Sequence, residues 1–308
     1  MPPSESRRLP PLKPPRLRPG DQIGVVSPAG PVSESQLKPG LDLLRSRGFR
    51  LRVAPHVYDR RKYLAGDDGD RVSDLHQMFL DRETKAIFCT RGGYGTLRLL
   101  QRLDYDLVRD HPKIIVGYSD ITALLMAINR MTGLITFHGP MVRGLSGLEG
   151  DSLERLLAMV SGADPVRLGP MGGISLIPGR TSGPLMGGNL SLICHLTGTP
   201  FFPSLEGSIL FVEDRGEPLY RIDRMLTHLV LTGRLKGIVG LMGGEFVECG
   251  DSSAVDYLLM TVASDLNIPL ATRIPAGHGP VNLALPLGIP VSFDTASMTL
   301  SLQESCVV

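Results

Sequence analysis

The chain has 308 residues, of which 42% are hydrophobic and 20% are charged, and its formal net charge is +1. A charge so close to zero excludes a strong electrostatic field that would attract nucleic acid or anionic lipid. Aromatic residues make up only 5% and Trp is absent, so a platform for stacking nucleobases is also disfavoured. The length predicts about two domains.

The N-terminal segment is rich in proline and basic residues. Residues 1–19 contain seven prolines and no apolar stretch of the secretory-signal type, so we predict an extended or disordered tail. No later segment approaches the roughly 18 uninterrupted apolar residues of a membrane span. The four cysteines form no CxxC pair and are expected to be reduced structural residues. We therefore expect a soluble cytoplasmic protein.

From Asp21 to about Gly144, short apolar segments alternate with amphipathic ones. In the first amphipathic segment, Pro39 and Gly40 interrupt the pattern, so its regular helix is expected to begin there. Strands are predicted within 22–30, 49–57, 85–90, 113–119 and 134–141, and helices over 34–47, 70–82, 96–103 and 120–133. This alternation predicts an α/β domain with a parallel sheet over residues 20–165.

Ligands of parallel sheets bind beyond the carboxyl ends of the strands. In this chain those ends fall at Ser27, Arg91–Gly95, Ser119 and His138, so the chemistry is expected near them.

The pattern changes after about Gly144. Residues 152–160 have helical spacing, and the next stretch is rich in Gly and Pro. We predict a linker over 166–180 and a smaller domain of mixed β and α structure over 181–308. Its elements include the strands ISLI, GSILFVED and GIVGLMG, a helix over 253–266, and β structure around PVSFD and MTLSL.

The segment KIIVGYSDITALLMAI places Ser119 on a turn between an apolar strand and an amphipathic helix. A serine there is held clear of the backbone at a helix N-terminus, which favours negative charge, as in a nucleophile elbow. The G-x-S-x-G signature is not met, because Ile121 replaces its second glycine. A simpler interpretation stays open, in which Ser119 or Asp120 only caps the helix.

The segment CTRGGYGT follows a buried strand and contains three closely spaced glycines. The backbone N–H groups of such a loop can bind a phosphate, a carboxylate or an oxyanion. Its spacing matches neither Walker A nor GxGxxG. A tight glycine turn without a ligand is the alternative.

Two further residues, Glu213 and His278, have side chains that could assist a nucleophile in hydrolysis. Glu213 follows four apolar residues at the end of a strand, where a carboxylate needs a partner, and a structural salt bridge is the alternative interpretation. His278 lies between two glycines in a loop, which leaves its imidazole accessible. As a general base it would need an orienting carboxylate, although most isolated histidines are structural or simply exposed.

Each residue has an ordinary structural explanation, but one chain offers Ser119, Glu213 and His278 together with a loop of N–H donors. No HxxxH, HxH or Asp/His cluster supports metal hydrolysis, and no cysteine lies on a comparable turn.

At these residues the chain closely resembles the LD-carboxypeptidase family, which also includes the microcin C self-immunity peptidases. The resemblance extends in order over roughly residues 20–300. The matching stretches are GVVSPAG, TRGGYGT, VGYSDITAL, TFHGPM, GGNLSLICHLTGTP, ILFVEDRGEPLYRIDRMLTHL and GHGPVNLALPLG. The region between VGYSD and GGNL is short, which favours the murein-recycling members over the microcin-resistance members.

The resemblance implies a fold and a set of roles. The fold is an N-terminal flavodoxin-like α/β domain and a smaller C-terminal β-rich domain of the swivelling β/β/α type, with the site between them. Ser119 would be the nucleophile, His278 the general base and Glu213 the residue that orients the histidine. The backbone N–H groups of Asp120 and Gly93 would form the oxyanion hole.

The implied activity is release of the terminal D-alanine from a cytosolic murein tetrapeptide, without a metal or other cofactor. Arg91 and Gly92 are candidates for binding the substrate carboxylate, by their position alone. The expected partners are a small muropeptide and a second copy of the chain, and neither nucleic acid nor membrane. The alternatives are a microcin C-type peptidase that cleaves a peptidyl-nucleotide amide and, more remotely, a non-catalytic nucleotide- or anion-binding module.

Overall fold

The structure, a computed structural model of the protein, describes residues 8–162 and 166–308. Their helices and strands in chain order are β1 (Gln22–Val26), α1 (Glu34–Ser46), β2 (Arg50–Val53), α2 (Asp68–Leu80), β3 (Thr84–Cys89), α3 (Tyr105–Asp110), β4 (Ile114–Gly117), α4 (Ile121–Thr132), β5 (Thr136–His138), α5 (Ser152–Ser161), β6 (Arg167–Leu168), β7 (Ile174–Ile177), β8 (Arg180–Asn189), α6 (Leu190–Leu196), β9 (Ile209–Arg215), α7 (Leu219–Leu231), β10 (Gly240–Val247), α8 (Ser252–Asp265), β11 (Leu270–Thr272), β12 (Leu285–Leu287), β13 (Pro290–Asp294) and β14 (Thr299–Leu302).

The first sheet has the order β12-β5-β4-β3-β1-β2. Strands β1 to β5 are parallel and follow the flavodoxin-like order 2-1-3-4-5. The central strands β3 and β4 are buried almost throughout, as expected where helices cover both faces of a parallel sheet. The predicted α/β domain with a parallel sheet is confirmed.

The second sheet has the order β6-β14-β13-β8-β9-β10-β11-β7. Its centre, β8 to β11, is parallel, and its flanks are antiparallel. Helices α6, α7 and α8 lie between its parallel strands in the chain. The smaller β-rich domain predicted for the C-terminal part is therefore present.

The two parts of the chain share elements. Strand β12 comes from the C-terminal part but pairs antiparallel with β5 in the first sheet. The segment 166–180, which we predicted as a linker, contributes β6 and β7 to the two edges of the second sheet and also the first residue of β8. The predicted end of the first domain, at residue 165, lies outside the described residues.

The Pro-rich N-terminal segment is ordered where the structure describes it. Its first seven residues lie outside the described part, but residues 8–19 run along the fold in an extended path. Leu12 N–H donates to Gly133 and Leu17 N–H donates to Val160, each at 2.8 Å. Leu17 is fully buried. Of the two states predicted for this segment, residues 8–19 adopt the extended one and are not disordered, because backbone hydrogen bonds and the buried Leu17 hold them against the fold.

Two local predictions are wrong. Helix α1 begins at Glu34, five residues before Pro39, because Ser33 and Gln36 form a capping box that starts it earlier. The stretch 96–103 was predicted as a helix but forms only a short 3-10 helix, Thr96–Arg98, followed by turns.

No helix of the described residues has the length and hydropathy that a membrane crossing requires.

Candidate active site

Ser119 lies on the turn between β4 and α4 with a φ of 62°. A non-glycine residue in this left-handed region is strained, and such strain is concentrated at functional sites. The turn is tight, because a Cβ at Gly117 would approach Ile121 to 2.6 Å. No side chain caps α4 at this point, so neither Ser119 nor Asp120 has the simple capping role that the sequence left open.

The side chain of Asp120 binds the glycine loop instead of capping the helix. Its carboxylate accepts a 2.9 Å hydrogen bond from Thr96 N–H, and the Thr96 hydroxyl donates to the Asp120 carbonyl at 2.5 Å. Burial raises the pKa of Asp120, which these hydrogen bonds oppose. The pair ties the end of the CTRGGYGT loop to the first turn of α4.

The glycine loop packs directly against the serine. A Cβ at Gly92 would lie 2.8 Å from both Cβ and Oγ of Ser119 and 3.4 Å from the backbone nitrogen of Asp120. Gly93 has a φ of 119°, which favours glycine. The loop, predicted as a source of N–H donors, is thus placed beside Ser119.

Glu213 and His278 form a hydrogen-bonded pair. Oε2 of Glu213 lies 2.6 Å from Nδ1 of His278. Glu213 is fully buried, whereas the side chain of His278 is 12% exposed. Burial raises the pKa of Glu213, and the hydrogen bond from His278 opposes that shift. When the carboxylate accepts from Nδ1–H, Nε2 is left with a lone pair that can take a proton.

The backbone around this pair leaves no space for larger residues. Gly277 has a φ of 115°, and a Cβ on it would approach Oε2 of Glu213 to 2.6 Å. Gly277 N–H is held by a 2.9 Å hydrogen bond to Asn282 Oδ1. The glycines that flank His278 therefore allow close approach to Glu213 as well as access to the imidazole.

A contact between the two sheets positions α4 relative to β9. The Thr122 hydroxyl on α4 accepts from Asn189 N–H at 3.0 Å. The Asn189 side chain in turn donates to Asp214 at 2.8 Å, and Ser191 donates to the same carboxylate from N–H and hydroxyl. The GGNLS motif therefore anchors the Asp next to Glu213 and links it to the helix that follows Ser119.

Ser119 and His278 line one cavity of about 650 Å³ between the two parts of the chain. The arginines Arg91, Arg143 and Arg215 also line it, and among the described residues Glu248 is the one carboxylate in its wall. A cavity with this excess of positive charge is suited to an anionic ligand. The remaining lining residues are Thr90, Gly92, Gly93, Tyr118, Met141, Gly144 and Gly216.

A family model described as the LD-carboxypeptidase N-terminal domain matches residues 23–139, and one described as the LD-carboxypeptidase C-terminal domain matches residues 182–293. The chain belongs to the LD-carboxypeptidase family. It is therefore a serine peptidase, as the sequence resemblance predicted.

Individual relatives agree with this assignment. The murein tetrapeptide carboxypeptidase of Pseudomonas aeruginosa is 33% identical over 285 residues, which cover 87% of this chain and 91% of the relative. The crystal structure of muramoyltetrapeptide carboxypeptidase from Oxalobacter formigenes is similar with a TM-score of 0.80 and 30% identity, over 91% of this chain and 97% of that one. A structure of MccF in complex with glutamyl sulfamoyl guanosine has a TM-score of 0.87 and 25% identity, over 97% of this chain and all of that one.

Other strand-end residues have structural contacts in this LD-carboxypeptidase. The Ser27 hydroxyl donates to the carbonyl of Val57 and lies 2.8 Å from the hydroxyl of Thr90, and Ser27 does not line the cavity. Glu217, two residues beyond the end of β9, pairs with Arg221 at 3.4 Å and does not line the cavity either.

His138, at the end of β5, lies in an aromatic cluster behind the catalytic candidates. It is fully buried, and neither ring nitrogen has a hydrogen-bond partner among the described residues. Its ring lies 5.8 Å from that of Tyr118 and 5.0 Å from that of Phe211, and Tyr118 makes an edge contact with His278 at 5.0 Å. Burial lowers the pKa of His138 to about 3, so this imidazole is neutral near pH 7.

Sequence reasoning missed the charged cavity residues Arg143, Arg215 and Glu248. Arg215 lies within the VEDRGE stretch that carries the family resemblance, so that stretch contained a signal for it. Glu248 follows β10 in a sequence without a recognisable motif, and only the fold brings it to the cavity.

Proposed function

We propose that this LD-carboxypeptidase releases the terminal D-alanine of murein tetrapeptides, with Ser119 as nucleophile, His278 as general base and Glu213 as the group that orients the histidine. The observation that carries the proposal is the 2.6 Å contact between the buried Glu213 carboxylate and Nδ1 of His278, with Ser119 on a strained turn at the same cavity. These three groups have the chemistry of a serine hydrolase triad.

The proposed reaction is acyl transfer. Nε2 of His278 takes the hydroxyl proton while Oγ of Ser119 attacks the carbonyl carbon of the L,D peptide bond. The backbone N–H groups of Asp120 and Gly93 would stabilise the resulting oxyanion, and a donor of this kind lowers the barrier by about 3 kcal/mol. The protonated His278 then gives its proton to the amine of D-alanine, which leaves. Water, deprotonated by the same imidazole, hydrolyses the acyl-enzyme and restores the serine.

A carboxypeptidase must also bind the free carboxylate at the end of its substrate. Arg91 and Gly92 are proposed for this role because they line the cavity next to Ser119. The Arg91 guanidinium is half-buried and donates to the carbonyl of Pro31 at 3.2 Å. Guanidinium groups suit this task because their parallel N–H donors match a carboxylate.

The test is incubation of the purified protein with L-Ala-γ-D-Glu-meso-diaminopimelyl-D-Ala, with D-alanine release followed by mass spectrometry. Release of D-alanine by the wild type but not by Ser119→Ala would support both the murein tetrapeptide as substrate and Ser119 as nucleophile. Release by both proteins would contradict the role of Ser119. Release by neither would contradict the murein substrate, and the same two proteins would then be tested on an aminoacyl sulfamoyl nucleotide.

We also propose a cytoplasmic location and a homodimer. The described cysteines are all free, which agrees with a reducing compartment. Large apolar side chains are exposed on α7 and α8, among them Leu231 and Tyr257, and exposed apolar surface of this kind is often an interface. Sedimentation equilibrium of the wild type and Leu231→Asp tests the dimer: a monomeric wild type would refute it.

A further inference from the structure

Arg215 and Glu248 form an ion pair on the wall of the cavity that contains Ser119 and His278. Nη2 of Arg215 lies 2.8 Å from one carboxylate oxygen of Glu248, and Nε lies 3.4 Å from the other. Their side chains are 52% and 63% exposed. The hydrogen bond from Arg215 lowers the pKa of Glu248, so both groups are charged near pH 7.

The backbone holds this pair at the ends of two neighbouring parallel strands. Arg215 and Val247 are partners in the register of β9 and β10, and Gly216 N–H donates to the Val247 carbonyl at 2.9 Å. Glu248, the next residue, has a φ of 57°. This left-handed conformation is unfavourable for a side chain of its size.

Fold stability does not explain this arrangement. An ion pair as exposed as this one contributes little to stability, whereas the left-handed backbone at Glu248 has a cost. Residues held in strained conformations beside a reaction centre are candidates for ligand contacts.

The position relative to the triad is also informative. Arg215 follows Glu213 by two residues on β9, so the two side chains leave the same face of the strand about 7 Å apart. Electrostatic interaction with His278 also lowers the pKa of Glu248. Because Arg215 and Glu248 line the same cavity as Ser119 and His278, the pair is within reach of a side chain that extends from the residue at the scissile bond.

We propose that Arg215 and Glu248 form a subsite for a zwitterionic amino-acid terminus on the side chain of that residue. The carboxylate of the terminus would bind Arg215 and its ammonium would bind Glu248, so that each protein charge exchanges its present partner for a substrate group. This inference rests on the proposed function, and it selects diaminopimelate over lysine as the residue before D-alanine. A lysine side chain ends in an ammonium group alone and leaves Arg215 without a substrate carboxylate.

The experiment compares two tetrapeptides that differ only in diaminopimelate or lysine at the third position. The kcat/KM for D-alanine release is measured for the wild type, Arg215→Gln, Glu248→Gln and the control Arg155→Gln. Arg155 also forms an ion pair, with Asp151 at 2.7 Å, but does not line the cavity. We expect a wild-type preference for the diaminopimelate peptide of at least about tenfold, the effect of one charge-assisted hydrogen bond.

The preference should fall by about tenfold in Arg215→Gln, mainly through KM, and should be retained in Arg155→Gln. Glu248→Gln should raise KM for both peptides, because both carry the ammonium group. Equal kcat/KM for the two peptides with the wild type, or a preference that survives in Arg215→Gln, would overturn the subsite.

A binding measurement separates this inference from the proposed function. If the wild type cleaves neither peptide, the proposed function is wrong. The affinities of the two peptides for Ser119→Ala and for Ser119→Ala/Arg215→Gln, measured by calorimetry, then decide the subsite. Tighter binding of the diaminopimelate peptide that is lost in the double variant supports it, and equal binding refutes it.

Discussion

The Glu213 carboxylate is fully buried and its Oε2 atom lies 2.6 Å from Nδ1 of His278. A buried carboxylate needs a hydrogen-bonded or charged partner to remain ionised. The partner here is an imidazole on the wall of a cavity, and Gly277 provides the space for their approach. A surface salt bridge would not require Glu213 to be buried. The arrangement is better explained if Glu213 orients the imidazole of His278.

Replacing Glu213 by Gln keeps the size of the side chain and removes its charge. We expect kcat to fall by about 10³- to 10⁴-fold with little change in KM, because the imidazole loses the acceptor that sets its tautomer and stabilises its protonated form. Steady-state kinetics of D-alanine release is the measurement. Glu217→Gln is the control, since Glu217 pairs with Arg221 outside the cavity. A loss of less than tenfold in Glu213→Gln would contradict the proposed orienting role.

Two substitutions of Ser119 should have the same effect on activity but different effects on stability. Ser119→Ala and Ser119→Gly should both lose about 10⁶-fold in kcat, because each lacks the nucleophile. Ser119→Gly should nevertheless be more stable than Ser119→Ala by about 1 kcal/mol, since glycine adopts the observed φ of 62° without the cost that alanine has there. Urea unfolding of both variants at pH 7.5 measures this difference. Equal stabilities would indicate that the turn is not strained.

Gly92 is the position where the smallest added side chain should disturb the nucleophile. A Cβ there would lie 2.8 Å from Oγ of Ser119, so Gly92→Ala must displace one of the two. We expect kcat to fall by about 100-fold, the typical result of moving a reacting group by about 1 Å. The matched control is Gly69→Ala in α2, where the added Cβ meets no atom within 4 Å. Wild-type kcat in Gly92→Ala would show that the loop moves without affecting the serine.

The parallel sheet could be predicted from sequence because its strands are short apolar runs between amphipathic segments, and this pattern is local. The candidate triad could be located because Ser119, Glu213 and His278 each lie where a strand ends or a glycine-flanked loop begins. Their proximity could not be derived from local patterns, since Ser119 follows β4 of the first sheet whereas Glu213 lies in β9 of the second. Only the family resemblance anticipated it.

Non-local contacts also explain what local patterns missed. The stretch 96–103 has helical spacing but forms only a 3-10 helix over Thr96–Arg98, and its first residue is hydrogen-bonded to Asp120, 24 residues away in the chain. Residues 8–19 have the composition of a disordered tail, yet Leu17 has a buried site that only the folded chain provides. His138 could be identified as a strand-end residue, but its ring contacts with Tyr118, just after β4, and with Phe211, in β9 of the other sheet, could not be predicted.

The buried imidazole of His138 should make the fold sensitive to acid. Burial lowers its pKa to about 3, whereas in the unfolded chain a histidine titrates near 6.5. Below about pH 6.5 the unfolded state therefore binds a proton that the folded state does not bind until the pH approaches 3. Stability is lost progressively over this window as the pH falls, and above pH 6.5 this contribution to the pH dependence disappears.

Between pH 7.5 and pH 5.0, His138 should account for a loss of about 2 kcal/mol in the free energy of unfolding. His138→Phe removes the titrating group, so its stability should fall by about 2 kcal/mol less than that of the wild type over the same interval. Urea unfolding at the two pH values gives both differences, and a packing change in the variant cancels because it acts at each pH. The matched control is the exposed His228, also changed to Phe. Equal losses in the wild type and His138→Phe would mean that the folded protein protonates His138 as readily as the unfolded chain does, and that this imidazole is open to water.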